Sequence, residues 1–184
     1  MLRRTAALMG MAVLVGSGPV ACVPAGQKLD APTRAGQTDR RAEPKDSQAP
    51  YLLLRLSERR LYLMDDGSRM PVESFPIAIG REGHDTPIGR FQIEEMVEHP
   101  DYEKIDPGDR SRVLKRIPPG PENPLGERWM AIAHGEGWTV GIHGTPQPEL
   151  LGRAVSGGCI RMRNADVIRV YDRVRLGTSV IVEP

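Results

Sequence analysis

The chain has 184 residues, room for one ordinary domain and a leader but not for two sizeable cores. Aromatic residues make up only 4%, so the core must come from Leu, Ile, Val, Met and Ala. Formal net charge is +1 with both signs spread along the chain, which excludes the basic stripe that nucleic-acid binding requires.

Residues 1–25 read as an export signal. Arg3 and Arg4 form its positive n-region and residues 6–16 a short apolar h-region, too short to span a bilayer. Two readings of its end are open. Val20-Ala21-Cys22 resembles the end of a bacterial lipoprotein signal, which would put a lipid anchor on Cys22, although Pro19 stands where that motif usually has leucine. Cleavage after Val23-Pro24-Ala25 would instead release a soluble protein. Both imply an exported protein of the periplasm or cell envelope. Residues 26–49 are polar and almost without large apolar side chains, the composition of a disordered linker.

Order is expected over 50–184. Leu52, Leu54 and Leu56 alternate with Tyr51, Leu53 and Arg55, and Leu61 and Leu63 repeat the pattern after a polar break, which predicts a hairpin. Asp66-Gly67 marks a turn, and the next strand is expected to carry Phe75, Ile77 and Ile79 on one face. Another strand is expected over 88–97, with Phe91 and Ile93 on one face. Residues 98–128 hold many prolines and no clear periodicity, a long loop of the kind used as a lid or as a plain insertion. Strand alternation returns over 129–134 and 138–142. Asn164 is placed to cap a helix whose stripe is Val167, Val170, Tyr171 and Val174, with Arg173 and Arg175 in its last turn and Gly177 to stop it. Residues 179–182 make a closing strand. Many short strands and one late helix describe a mostly-β domain, a sandwich or small barrel.

Chemistry concentrates in IHGTPQPELLGRAVSGGCIRMRNAD, residues 142–166. Cys159 is the only cysteine outside the N-terminal region, and Cys22 is either lipidated or at the edge of the removed segment. Cys159 therefore has no disulfide partner in a compartment that oxidises thiols. A plain core cysteine is one reading. The flanking glycines and His143 favour another. A thiol near neutral pH needs a base to become a thiolate, which a histidine supplies, and the Gly157, Gly158 and Cys159 amides can hold an oxyanion. That predicts a cysteine acyl-transferase with Cys159 as nucleophile and His143 as general base. Arg161 could pair with a substrate carboxylate or only hold the loop; Ser156 could contact substrate or close the turn. His134 shares a strand face with Met130 and Ile132 and reads as a packed or partly exposed residue. Neither Cys-x-x-Cys nor His-Glu-x-x-His spacing occurs, so no metal and no cofactor is expected.

The segment IHGT…SGGCIRMRNAD resembles the active-site signature of L,D-transpeptidase catalytic domains of the YkuD type. Thr86-Pro87-Ile88-Gly89-Arg90-Phe91 is similar to that family's TPxGxF segment, and Asn123-Pro124-Leu125-Gly126 to its NPLG segment. The resemblance runs from about Tyr51 to Val182. One departure stands out: Gly157 occupies the position where the family most often has histidine, though His143 aligns with the base. The resemblance implies an L,D-transpeptidase-like sandwich whose long loop lies over the site. It implies a backbone carbonyl near Gly144 orienting the His143 ring, and substrate contacts from Arg161, Ser156 and Thr145. It also implies action on peptidoglycan stem peptides. Cys159 would attack at the third residue, release D-alanine, and pass the acyl group to an amine of a second stem or of an outer-membrane lipoprotein. Two rivals remain: an L,D-carboxypeptidase using water with the same thiol, and a non-catalytic peptidoglycan-binding lipoprotein.

Overall fold

A computed structural model describes residues 22–24, 49–65, 70–106, 108–109, 111–135 and 138–184. The expected export signal, linker and Asp66-Gly67 turn lie outside these residues, apart from Ala49 and the backbone of Cys22–Pro24 (β1). Tyr51–Arg55 (β2), Arg60–Met64 (β3) and Pro71–Pro76 (β4) form a meander, and Ile79–Gly80 (β5) leaves it. Gly89–Gln92 (β6) and Glu95–Glu98 (β7) follow, then Tyr102–Ile105 (β8) and Val113–Ile117 (β9). Arg128–Gly135 (β10) and Trp138–His143 (β11) make the longest hairpin. Ala154–Ser156 (β12), Ile160–Arg161 (β13), the helix Asn164–Tyr171 (α1) and Ser179–Glu183 (β14) complete the chain.

Two sheets carry the core. One runs β4-β3-β2-β14-β6, the other β13-β11-β10-β7. Leu52, Leu54, Leu61, Leu63, Val180 and Val182 from the first meet Met130, Ile132, Ile142 and Ile160 from the second, and Val167 and Val170 of α1 close one side. Period-two alternation explains this directly, because every second side chain of a strand faces the partner sheet. Fully burying one such leucine contributes about 1.5–3 kcal/mol relative to leaving it exposed. The domain is thus a mostly-β sandwich with one helix, as its sequence predicts.

Several elements differ from expectation in detail. The strand expected to run through Phe75, Ile77 and Ile79 divides. β4 ends at Pro76, and β5 pairs in parallel with β12 in a separate two-stranded sheet. Residues 88–97 likewise split at buried Ile93, with β6 on β14 and β7 on β10. A continuous apolar pattern did not reveal that the chain changes sheets at a corner. The long segment 98–128 folds as the β8–β9 hairpin, extended to a third strand by antiparallel pairing of β1 with β8. Its periodicity is hidden because β9 is almost wholly exposed; the hairpin is pinned by the Glu103–Arg116 ion pair.

The helix is shorter than its apolar stripe. It ends at Tyr171 with Asp172 as C-cap, so Arg173 and Arg175 fall in the following turn, and Gly177, at φ +81°, leads the chain into β14. Asn164 is its first residue rather than its cap, a position held by Arg163 without a side-chain hydrogen bond. The Asn164 amide oxygen is used elsewhere. It accepts the Glu127 N–H at 3.3 Å, and a Cβ at either Gly126 or Gly144 would stand 2.1 Å from it. Three sequence motifs, Asn-Pro-Leu-Gly, His-Gly and Arg-Asn-Ala-Asp, meet at this one atom. Gly126 also adopts φ +63°, which disfavours a side chain independently of the clash.

Candidate active site

Parallel pairing between β11 and β13 builds the site. Ile142 lies opposite Ile160 and His143 opposite Arg161. Ile142 and Ile160 are both fully buried in the main core, so the alternation of the two strands turns His143, Cys159 and Arg161 together onto the other face. The isolated bridge between Ala78 and Arg161 continues the layer toward β5. A cleft of about 240 Å³ opens on that face. His143, Ser156, Gly157, Gly158, Cys159 and Arg161 line one side, and Gly83, His84, Asp85, Pro87, Trp138, Thr139 and Val140 the rest.

His143 is 2% exposed, and its Nδ1 lies 2.6 Å from the carbonyl oxygen of Gly144. A carbonyl can only accept, so Nδ1 carries a hydrogen, and in the neutral ring Nε2 is then the nitrogen with the lone pair. Nε2 is buried and makes no hydrogen bond with the protein. The thiol of Cys159 is 5% exposed and donates to the Thr139 carbonyl at the long sulfur distance of 3.7 Å. Such a contact is weak, and a buried nitrogen left without a donor costs free energy until one arrives. This arrangement is suited to a proton moving from sulfur to Nε2 when substrate enters.

The nucleophile's turn is tied from both sides. Ser156 Oγ donates to the Cys159 carbonyl at 2.6 Å and accepts the Gly158 N–H at 3.1 Å. Gly158, at φ +117°, completes a turn that an L side chain would strain. Thr86 clamps the same turn: its hydroxyl donates to the Gly158 carbonyl at 2.9 Å and accepts the Gly80 N–H at 2.9 Å. The threonine of the Thr-Pro pair therefore fixes the residue just before the thiol, and a single clamp explains why that motif accompanies this site.

Of the residues singled out in the sequence, His143, Ser156, Gly157, Gly158, Cys159 and Arg161 line the cleft, and Thr145 does not. Thr145, expected to contact substrate, is buried; its hydroxyl accepts the Gln147 N–H at 3.2 Å and the residue does not line the cleft. Ser156 lines the cleft, but its hydrogen is committed to the Cys159 carbonyl, so it closes the turn. The Gly158 amide, one of three expected oxyanion donors, is taken by Ser156, whereas Gly157 is exposed and lines the cleft. His84, Asp85, Trp138, Thr139 and Val140 were not anticipated. They come from a turn and a strand without a chemical motif, and only the position of Thr86-Pro87 next to Asp85 hinted at part of that wall. No described residue of the β8–β9 hairpin lines the cleft. Tyr102 and Leu125 instead join Trp129, Ala131 and Cys159 in a small apolar cluster behind the thiol.

Charge in the cleft is divided. The Arg161 Nε is buried without a hydrogen-bond partner, and no carboxylate of the described residues pairs with its guanidinium. Asp85, also lining the cleft, is exposed and likewise unpaired among the described residues. Outside the cleft, His134 is 40% exposed on its side chain and bridges Glu94 at 3.2 Å and Thr139 Oγ1 at 3.0 Å. No group of three His, Cys, Asp or Glu side chains among the described residues is arranged to hold a metal ion.

Residues 49–182 match the sequence profile of the YkuD family, the L,D-transpeptidase catalytic domain. The chain belongs to that family. It is 35% identical over 136 residues to a protein named as an L,D-transpeptidase, YqjB of Bacillus subtilis strain 168, covering 72% of this chain and 70% of that one. It is 36% identical over 143 residues to ErfK/SrfK of Escherichia coli K12, also named as an L,D-transpeptidase. That match covers 73% of this chain but 44% of the relative, so the chain spans less than half of the longer protein. The NMR structure of the catalytic domain of an E. faecium L,D-transpeptidase superposes with a TM-score of 0.55 at 22% identity. It covers 75% of this chain and 99% of that domain, a likeness of fold. The protein is thus an enzyme of the L,D-transpeptidase family, and the sandwich read from its sequence is that family's fold.

Proposed function

We propose that this L,D-transpeptidase acts on peptidoglycan stem peptides in the cell envelope through a thioester on Cys159. His143 Nε2 takes the thiol proton, and sulfur attacks the carbonyl of the third stem residue. The S–C bond forms as the C–N bond to the terminal D-alanine breaks, and the imidazolium returns its proton to the departing amine. An acceptor amine then attacks the thioester, gives a proton to His143, and releases the thiol. The observation that carries this reading is the buried lone pair at His143 Nε2, fixed by the Gly144 carbonyl and lying on the same face as Cys159.

Gly157 supports the reading as an oxyanion donor, since it lines the cleft and no backbone hydrogen bond among the described residues engages its N–H. The glycine has no imidazole to offer, and the chemistry needs none there, because the base is His143. Arg161 suits a stem carboxylate: its Nε is buried without a partner, and no carboxylate among the described residues pairs with its guanidinium. Asp85, which also lines the cleft, suits the ammonium group of an acceptor before it loses its proton. The acceptor class we favour is accordingly an amine, of a second stem or of an outer-membrane lipoprotein, over water. A lipid on Cys22 would hold the enzyme at the membrane, and the pairing of Cys22–Pro24 with β8 would keep the domain close to that anchor.

The test is intact-protein mass after incubation with a purified tetrapeptide stem, with and without an acceptor amine. A relative from Mycobacterium tuberculosis has been solved with a faropenem-derived adduct, so faropenem serves as a second acylating probe. A mass gain in the wild type that disappears in Cys159→Ala, with release of D-alanine, is the expected outcome. A reduced thiol that takes up neither reagent would overturn the enzyme reading in favour of a binding protein. Product formed equally well without an amine would make it a carboxypeptidase.

A further inference from the structure

Among the described residues the His143 ring makes one hydrogen bond, to the Gly144 carbonyl, and no carboxylate pairs with it. What does lie against it is Trp129 of β10, the register partner of His143 in the hairpin. The indole and imidazole centroids are 5.8 Å apart with the planes tilted by 32°. Trp129 is fully buried and shares a small apolar cluster with Cys159. One side chain thus backs both members of the reacting pair.

Two further features hold the indole in that place. Its Nε1–H donates to Glu95 Oε2 on β7 at 3.1 Å, the only hydrogen bond or ion pair that the Glu95 side chain makes among the described residues. On the other side, β11 leaves room with Gly141, where a Cβ would stand 2.6 Å from the indole Cη2. Packing alone does not require a carboxylate at the rim of a buried indole. The other charged and titratable groups around the ring are Arg161 on β13 and, also lining the cleft, His84 and Asp85. Arg128, next to Trp129 in sequence, is turned away onto Glu98 and the Tyr171 ring.

We propose that Trp129 and Glu95 are positioning residues for the thiol–imidazole pair: the indole face seats the His143 ring and stabilises the imidazolium formed when Cys159 gives up its proton, and Glu95 fixes the indole. A cation within about 6 Å of an indole centroid is attracted by the ring quadrupole, more strongly where water is excluded. A carboxylate on the indole N–H adds to the ring's negative face. The chain would then do through an indole what a third, carboxylate member does directly in other nucleophile–base systems. The inference rests on the Cys159–His143 reading, and its test separates the two.

The experiment is the rate of Cys159 alkylation by iodoacetamide across pH, in wild type, His143→Gln, Trp129→Phe and Glu95→Gln, with faropenem acylation kinetics alongside. Trp129→Phe should move the midpoint of the alkylation profile up by about one unit and slow alkylation at neutral pH about tenfold. Glu95→Gln should move it the same way by a smaller step, about threefold in rate, with acylation slowed in parallel and faropenem affinity unchanged. Should Trp129→Phe fail to fold, Glu95→Gln still decides, because Glu95 is only half-buried at the rim. A profile unchanged in the folded Glu95 and Trp129 variants, but altered in His143→Gln, overturns this inference and leaves the Cys–His pair standing. A profile unaffected by His143→Gln overturns both.

Discussion

The five-stranded sheet and the corner that carries the site are held by different means. In the sheet, buried positions are aliphatic and follow the strand period: Leu52, Leu54, Leu61, Leu63, Val180 and Val182. Each contributes through apolar area, and none is indispensable to the geometry of another. At the corner, geometry depends on single polar atoms and missing side chains. Thr86 Oγ1 joins Gly80 to Gly158, and Asn164 Oδ1 fills the gap between Gly126 and Gly144. Asn123, fully buried, donates from one amide nitrogen to the Pro100 carbonyl at 2.7 Å and to the Ile117 and Pro118 carbonyls at 3.1 Å. Area tolerates redistribution, whereas a hydrogen bond that sets a turn does not. The sheet should therefore govern how stable the protein is, and the corner how well the folded protein reacts.

The largest effect on stability is expected from Leu54→Ala. Leu54 is fully buried in the main core, and such a truncation costs about 2–5 kcal/mol through lost transfer energy and a residual cavity. Urea unfolding would measure it, while faropenem acylation per folded molecule should equal that of wild type. A slowed acylation in the folded fraction would mean that the sheet also sets the site, and the contrast would fail.

Thr86→Val tests the other side of the contrast. It keeps the shape and removes both hydrogen bonds, leaving the Gly80 N–H and Gly158 carbonyl unpaired in a buried place, at a cost of about 1–3 kcal/mol. Because Gly158 immediately precedes Cys159, acylation should fall about tenfold even where the protein is fully folded. Thr86→Ser, which retains both bonds, should recover most of the rate. Loss of stability without loss of rate in Thr86→Val would show that the clamp serves only the fold.

The same division explains what could be read in the sequence. Regular alternation announced the β2–β3 hairpin and the closing strand, because those elements bury one face, and apolar runs announced β10 and β11 as strands without their pairing. Cys159 and His143 stood out because a lone thiol in an exported chain and a histidine beside glycines are chemically unusual. The corner was less legible. Ile93 and Ile77 are apolar like their neighbours, and nothing local says that the chain changes sheets there. Asn164 looked like a cap because Asn before an apolar stripe is a good cap, but its oxygen was claimed by a partner 37 residues away. The sequence left Ser156 open between substrate contact and turn closure, and only the fold shows that the Ser156 and Thr145 hydroxyls bond the backbone of their own turns. The Trp138 and Asp85 walls depend on which loops meet over the cleft, a tertiary fact without a local signature.

The smallest expected effect lies on the outer face of the sheet, where charge has no catalytic task. The Tyr62 hydroxyl donates to the Glu58 carboxylate, and this bond, followed by slight burial and the charge of Glu58, raises Tyr62 above the usual tyrosine range. The same bond, followed by one from Arg55, lowers Glu58. A raised tyrosine stabilises the fold below its unfolded value near 10 and loses that contribution as pH climbs through the folded one; a lowered carboxylate contributes above its unfolded value near 4.5 and loses it as pH falls through the folded one. Between the two the pair is intact, but both groups are so exposed that water and salt offset most of it. Glu58→Gln should therefore bring the Tyr62 titration, followed by tyrosinate absorbance, back toward the ordinary value and leave neutral-pH unfolding unchanged. Tyr171 provides the internal control. It too is raised, but first by burial on α1 and only then by Glu98, so its titration should not move in the same variant. Comparable displacement of both tyrosines, or a clear loss of stability at neutral pH, would show that this surface network is coupled to the core, contrary to the separation drawn between area-held sheet and atom-held corner.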